Sequence, residues 1–154
     1  MLDKKSLRLI LALMQESETA ILTTIDENGY PQTRAMLNLR NKKQYPSLEK
    51  LFEENNSSIL ICFTTNTSSN KMKQITNNSK VSVYYCKPNE WRGLMAGGII
   101  EIVNENEIKK KIWQDNWTMY YSKGYNDPDY TILKLKPKTL KLYNQLKVYD
   151  IELE

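Results

Sequence analysis

The chain has 154 residues, 40 % hydrophobic and 26 % charged, with a net charge of +4. These are the proportions of a globular protein with enough chain for one domain and a real core. It contains no histidine, which excludes His-ligated metal or haem, Ser-His-Asp and Cys-His couples, and histidine acid–base chemistry. Redox chemistry near neutral pH then has to come from a bound cofactor or from shifted cysteine, lysine, tyrosine or carboxylate groups.

The N-terminal segment Asp3–Gln15 places Leu7, Ile10, Leu11 and Met14 on one face and predicts an amphipathic helix. The apolar stretch Leu9–Met14 behind Lys4, Lys5 and Arg8 is too short for a signal-peptide core. Acidic, polar Gln15-Glu16-Ser17-Glu18 stands where a small-residue cleavage site belongs, so a cytoplasmic location is expected. No apolar run approaches the roughly 20 residues a membrane span needs, and no membrane partner is expected. Strands follow over Ala20–Asp26 and Pro31–Asn38, joined by a turn with Asn28-Gly29, which is a strong hairpin signal. The segment Leu39–Leu48 reads as a polar connection, and Ser47 as the cap of a short helix over Leu48–Glu54.

The third strand, Ser58–Thr64, carries the apolar run Ile59 to Phe63 and stops abruptly. Small polar residues fill Thr64 to Ser69, and a short helix is predicted over Asn70–Thr76. A strand feeding a hydroxyl-rich turn and a helix start suits an anion: the first N–H groups of a helix point outward, hydroxyls add donors, and Lys71 adds a charge. A polar loop ending in a serine N-cap accounts for the same residues. Strands over Lys80–Cys86 and Arg92–Val103 come next. Gly97-Gly98 inside the latter suggests a bulge or a close backbone approach. A helix is predicted over Asn106–Met119, then strands over Tyr130–Leu135 and Thr139–Tyr143 with Pro137 between them. No repeat or linker divides the chain, so residues 1–154 read as one domain. Many short strands with few helices describe a mainly β protein, a small barrel with flanking helices.

Cys62 and Cys86 fall inside predicted strands without metal-ligand spacing and are expected as buried free thiols. The run Lys109-Lys110-Lys111 reads as a solvated helix face. The 10 tyrosines and the mild positive charge raise the possibility of a nucleic-acid-binding barrel. However, the tyrosines bunch at 84–85, 120–121, 125 and 130 without a basic stripe, so no nucleic-acid partner is expected.

Three motifs in order carry a family resemblance: Asp-Glu-Asn-Gly-Tyr-Pro-Gln-Thr-Arg at 26–34, Phe-Thr-Thr-Asn-Thr-Ser-Ser-Asn-Lys at 63–71, and Lys-Gly-Tyr-Asn-Asp-Pro-Asp-Tyr at 123–130. From about Glu18 to Asn144 the chain resembles the pyridoxamine 5′-phosphate oxidase-like family of FMN-binding split β-barrels, in particular its general stress protein branch. The resemblance implies a six- to seven-stranded antiparallel split barrel, FMN as cofactor, and a homodimer with the flavin at its interface. The family's phosphate arginine falls on Arg34, and its Ser-Arg-Lys group on Ser69, Asn70 and Lys71, with asparagine replacing the middle arginine. The resemblance places Phe63 at the cofactor site and the ring-contacting pair after it on Thr64 and Thr65, and Met36 and Leu37 are expected near the ring. The partner's contribution is expected around Trp91 to Leu94, and Trp113 and Trp117 are candidates for stacking at the interface. The bland readings of these residues remain open: a strand-surface arginine paired across the hairpin, a solvated helix lysine, and ordinary packing tryptophans.

Departures bear on the reaction. The C-terminal Arg-x-His that holds substrate in true pyridoxamine phosphate oxidases has no counterpart, and the lysine closing the first FMN-binding strand falls on Leu39. The expectation is therefore an FMN-dependent oxidoreductase with a small-molecule electron donor and acceptor that does not oxidise pyridoxamine phosphate. A non-catalytic module that stores or senses flavin is the alternative. No metal is expected.

Overall fold

A computed structural model describes residues 3–55 and 59–153. Ser58, the expected start of the third strand, lies outside them. Helix α1 (Lys4–Glu16) starts at Asp3, whose carboxylate accepts from Lys5 N at 2.9 Å and Ser6 N at 3.0 Å, and it buries Ile10, Leu13 and Met14. Strands β1 (Thr19–Ile25) and β2 (Pro31–Leu37) form the expected hairpin. Its turn closes on the Asp26 side chain, which accepts from Asn28 N and Tyr30 N, and Gly29 takes the left-handed φ of +84° that glycine tolerates.

Short helix α2 (Glu49–Glu53) is preceded by a 3₁₀ turn over Pro46–Leu48, so Ser47 does not cap it. The Ser47 hydroxyl instead pairs with Gln114 Oε1 at 3.1 Å. Strand β3 (Ile61–Asn66), helix α3 (Asn70–Asn77) and β4 (Lys80–Lys87) follow within three residues of expectation, and β5 (Arg92–Val103) has the expected bounds. The expected helix over Asn106–Met119 is divided. Helix α4 (Asn106–Ile112) stops where Trp113 leaves helical geometry, and a 3₁₀ turn spans Asp115–Met119.

The two expected C-terminal strands are one, β6 (Tyr130–Asn144), and a further strand, β7 (Lys147–Glu152), pairs with its second half. Proline interrupts a ladder because it has no N–H to donate. Here Pro137 sits opposite Gly98 where the β5–β6 register shifts between Gly97 and Gly98, so the strand runs through it. A side chain at Gly98 would put its Cβ 2.9 Å from a Leu135 methyl and 3.0 Å from the Lys136 carbonyl.

The antiparallel sheet runs β2-β1-β4-β5-β6-β3, with β7 added beside β6. This is the mainly β split barrel that the resemblance implied. Its inner face and α1 enclose one core, including Leu22, Phe63, Val83, Leu94 and Leu133. A second core lies outside the sheet, where Leu39, Phe52, Cys62 and Ile132 meet Ile112, Trp117, Tyr121 and Tyr130. Fully burying one such aliphatic side chain is worth about 1.5–3 kcal/mol. No ladder joins β2 to β3 among the described residues, and that opening is the split. No helix among the described residues is long and apolar enough to cross a membrane.

Candidate functional site

A cavity of about 420 Å³ opens at the split. Ala35, Met36 and Leu37 at the end of β2 contribute one set of lining residues, and Thr64, Thr65 and Asn66 of β3 another. Lys71 reaches it from α3, and Trp117, Tyr120 and Tyr121 line it from the segment after α4. The cavity thus combines aromatic and apolar surface with a few hydroxyls and one ammonium, the usual make-up of a site for a flat organic ligand.

Lys71 is held by the Thr65 hydroxyl, to which its Nζ donates at 3.0 Å. Arg34 is aimed by a three-residue array. Its Nη1 donates to Thr24 Oγ1 at 2.7 Å and to the Leu22 carbonyl at 3.3 Å, and its Nη2 donates to Gln74 Oε1 at 3.2 Å. Thr24 is fully buried and donates to the same Gln74 oxygen at 2.6 Å. One strand hydroxyl and one helix amide therefore fix the guanidinium between β1 and α3. Burial pushes both Arg34 and Lys71 below their ordinary pKa values, and the Arg34 charge lowers Lys71 further. Among the described residues neither makes an ion pair. Two half-buried cations that repel each other, with no carboxylate between them, form a place suited to an anion.

A third observation agrees. The Ser69 hydroxyl is buried without a hydrogen-bond partner, although Ser69 occupies the N-cap of α3. An N-cap serine ordinarily accepts from a helix N–H, and a buried hydroxyl with no partner is costly. A phosphate oxygen reaching this helix start would meet the Ser69 hydroxyl and the α3 amides, with Lys71 two residues further on. The residues present therefore fit a phosphorylated flat ligand.

The sequence-derived set divides in space. Met36, Leu37, Thr64, Thr65 and Lys71 line the cavity. Arg34 and Ser69 are not among its lining residues: Arg34 precedes Ala35 on β2 and its charge acts on Lys71, and Ser69 stands two residues before Lys71 at the start of α3. Asn70 instead lines a separate polar groove with Asp26, Gln32 and Gln74. Phe63 is 1 % exposed and packs in the inner core; it does not line the cavity. Trp113 sits one layer behind, edge-on to Trp117 at 6.0 Å and to Tyr130 at 5.2 Å. Trp117, by contrast, reaches the cavity wall. Trp91 is 80 % exposed, takes a left-handed φ of +51°, and lines a different cavity with Leu9, Arg92 and Leu146. Within one chain it does not join the site.

Four residues escaped the sequence reading. Thr24 and Gln74 carry no motif, since a strand threonine and a helix glutamine are common everywhere. Tyr120 and Tyr121 were visible only as a tyrosine pair. The two cysteines are free, and Cys62 is buried with its thiol pushed up to about 12, which keeps it neutral and unreactive. Cys86 is half-buried and not fully enclosed. Among the described residues no group of three or more Cys, Asp or Glu side chains is arranged to hold a metal ion.

Comparison with known proteins bears on this site. General stress protein 26 of Bacillus subtilis (strain 168) is 28 % identical over 93 residues, which make up 58 % of this chain and 66 % of that relative, just under two thirds of its length. A crystal structure from Clostridium acetobutylicum, described as related to general stress protein 26 and of the pyridoxinephosphate oxidase family, is 29 % identical. It superposes with a TM-score of 0.79 over 99 % of this chain and 97 % of its own. An FMN-binding, pyridoxamine 5′-phosphate oxidase-related protein from Nostoc punctiforme PCC 73102 shares the fold at 14 % identity, with a TM-score of 0.59 over 99 % of this chain and 98 % of that one. The family model described as "Pyridoxamine 5'-phosphate oxidase like" matches residues 5–147. With nearly its whole length matched, the chain belongs to the pyridoxamine 5′-phosphate oxidase-like family.

Proposed function

We propose that this protein binds FMN in the cavity between β2 and β3 and acts as a flavin-dependent oxidoreductase. The observation that carries this reading is the uncompensated pair Arg34 and Lys71, beside the partnerless Ser69 hydroxyl, at the edge of an aromatic-lined cavity. Arg34, Lys71 and Ser69 would hold the phosphate. Met36, Leu37, Thr64 and Thr65 would lie along the ring, with Trp117 and Tyr121 as apolar wall. FMN supplies the electron-transfer chemistry when bound, and the protein supplies binding, orientation and exclusion of water. The names of the relatives support a stress-related role. Pyridoxamine phosphate is not expected as substrate, because Leu39 and the absence of arginine and histidine beyond Arg92 leave no clamp for it.

The same reading includes a homodimer. Trp91 stands 80 % exposed on a strained backbone, and Leu37, Met95 and Ile99 also present apolar surface outward. A second copy would cover these groups, and the partner subunit's Trp91 would complete the flavin environment. Two-fold assembly is also the commonest oligomer.

The test is titration with FMN and with riboflavin, followed by light scattering. FMN binding far tighter than riboflavin, by a dimer, is the expected result. Equal affinity for both flavins would remove the phosphate site, and a monomer with FMN bound would remove the interface. One observation favours a second reading, a flavin-binding module without turnover: the cavity lining contains no carboxylate or thiol, and Lys71 and two tyrosines are its only titratable groups. Reduction of bound FMN by NADH or NADPH decides for the oxidoreductase, and its absence with every donor tried decides for the module.

A further inference from the structure

A second groove, of about 670 Å³, opens on another face of α3 and shares no residue with the flavin cavity. Helix α3 contributes Met72 and Lys73 to it, the end of β5 contributes Ile102, and the connection after it Asn104. Lys109 comes from α4 and Tyr130 from the start of β6. Its size falls within the range of about 300–1,000 Å³ usual for small-molecule sites.

The charge of this groove is one-sided. It is lined by two lysines and by no aspartate or glutamate; Lys73 also borders the neighbouring groove that holds Asp26 and Glu27, without pairing with either. Among the described residues neither Lys73 nor Lys109 makes an ion pair. Asp127 and Asp129 flank the lining residue Pro128, but their carboxylates are engaged elsewhere. Asp127 accepts from Lys123 N and Asp129 N, and Asp129 accepts from Ser68 N and Asn66 Nδ2. Lys109 is also positioned: its Nζ lies 5.4 Å from the Tyr130 ring centroid, and the Tyr130 hydroxyl donates to the Lys109 carbonyl at 3.3 Å. The apolar part consists of Ile102, 40 % exposed although it sits on a strand, and exposed Pro128, with only the edges of the buried side chains Met72, Val103 and Tyr130. Cations on an apolar, aromatic surface match a ligand with an anionic head and a flat or apolar body.

We propose that this groove is a second ligand site, for a small organic anion that bears an aromatic or apolar body and a phosphate or carboxylate head. The head lies between Lys73 and Lys109, and the body lies against Ile102 and Pro128, at the edges of Met72 and Tyr130. Asn104 offers an amide to the polar edge. The proposal does not depend on flavin binding at the split.

The test is a titration of the isotope-labelled protein with phenyl phosphate, followed by ¹H–¹⁵N correlation spectra. Shifts are expected at the amides of Lys73, Asn104 and Lys109 and at the indole of Trp113, whose ring lies 5.2 Å from Tyr130. Lys73→Met and Lys109→Met should each weaken these shifts by about three- to fivefold in affinity, the scale of a part-exposed charge contact. Lys71→Met, which alters the other cavity, should leave them unchanged. Benzoate in place of phenyl phosphate tells a carboxylate head from a phosphate head. Shifts confined to Met36, Leu37 and Lys71, or no shifts at all, would overturn the proposal. So would benzyl alcohol binding as tightly as phenyl phosphate, because charge would then play no part. Inorganic phosphate producing the same shifts at the same concentration would overturn the apolar half.

Discussion

Two pairs of cations in this molecule are treated in opposite ways. Near the start of β5, Lys87 pairs with Glu16 and Glu90, both at 2.7 Å, and Arg92 pairs with Glu90 at 3.1 Å. At the split, Arg34 and Lys71 have neutral partners only: Thr24, Gln74, Thr65 and a carbonyl. The pKa directions follow. Hydrogen bonds to Glu16 and Glu90 raise Lys87, whereas burial and then the Arg34 charge lower Lys71. The first arrangement is complete within the chain. The second is held in place by neutral groups and lacks a countercharge, which is how a protein prepares a site for a ligand that brings its own.

The largest expected effect separates the two pairs directly. Removing one partner of a buried charge-assisted contact costs roughly 2–5 kcal/mol. At about 1.4 kcal/mol per decade, Arg34→Ala or Lys71→Ala should weaken FMN by roughly 1.5–3.5 decades. Riboflavin affinity, measured by the same fluorescence titration, should barely move. Equal losses for both flavins would mean that these cations do not meet the phosphate. Ser69→Ala comes next. A neutral hydrogen bond is worth about 1 kcal/mol net, so FMN should weaken about fivefold. Without ligand the variant should be as stable as wild type or slightly more so, since an unsatisfied hydroxyl is removed. A clear drop in its ligand-free urea midpoint would show that Ser69 serves the fold.

A smaller effect appears in the pH dependence. Unfolded, Lys71 titrates near its ordinary value of 10.5; folded and ligand-free, it titrates lower. Between those values the unfolded chain binds more protons than the folded one, so stability should rise with pH in that interval. Lys71→Met should remove this contribution, which is read as the difference in urea midpoint between the two proteins from about pH 8 to pH 10. A steeper rise in the variant would contradict the lowered value. The smallest effect is expected at the other pair. Lys87→Ala breaks two exposed ion pairs, and such pairs contribute little. FMN affinity should not change, and the melting temperature should move too little to resolve.

The hairpin of β1 and β2, strands β4 and β5, and the Gly97-Gly98 bulge were legible because each has a local cause: an Asn-Gly turn, alternating burial, and two glycines in a strand. The continuity of β6 was not. Pro137 reads as a break, and only its position opposite the bulge removes the need for its missing N–H. Strand β7 is mostly exposed and begins after Gln145, which adopts a left-handed φ of +56° without being glycine. Neither hydrophobic alternation nor turn chemistry announces it. At the site, the charged residues and hydroxyls stood out through their motif. Thr24 and Gln74 did not, because their role depends on β1 and α3 being neighbours. Phe63 shows the reverse: it belongs to the motif in sequence, but the pleat turns it into the inner core while the adjacent Thr64 lines the cavity.

The length of β6 also sets a schedule for folding. This one strand pairs with β5 along its length, with β3 through its first half and with β7 through its second. Leu135 is the register partner of both Ile61 and Ile100. During synthesis, β3 and β5 therefore emerge from the ribosome with open edges and stay so until residues 130–144 follow. Exposed edges on a partly made sheet invite wrong pairing, and closing such distant contacts is slow. The early hairpin and α1 can form at once, but the barrel itself is completed late. A chain stopped before Tyr130 would keep all of the candidate flavin-contacting residues and lose the strand that holds β3 in place beside them.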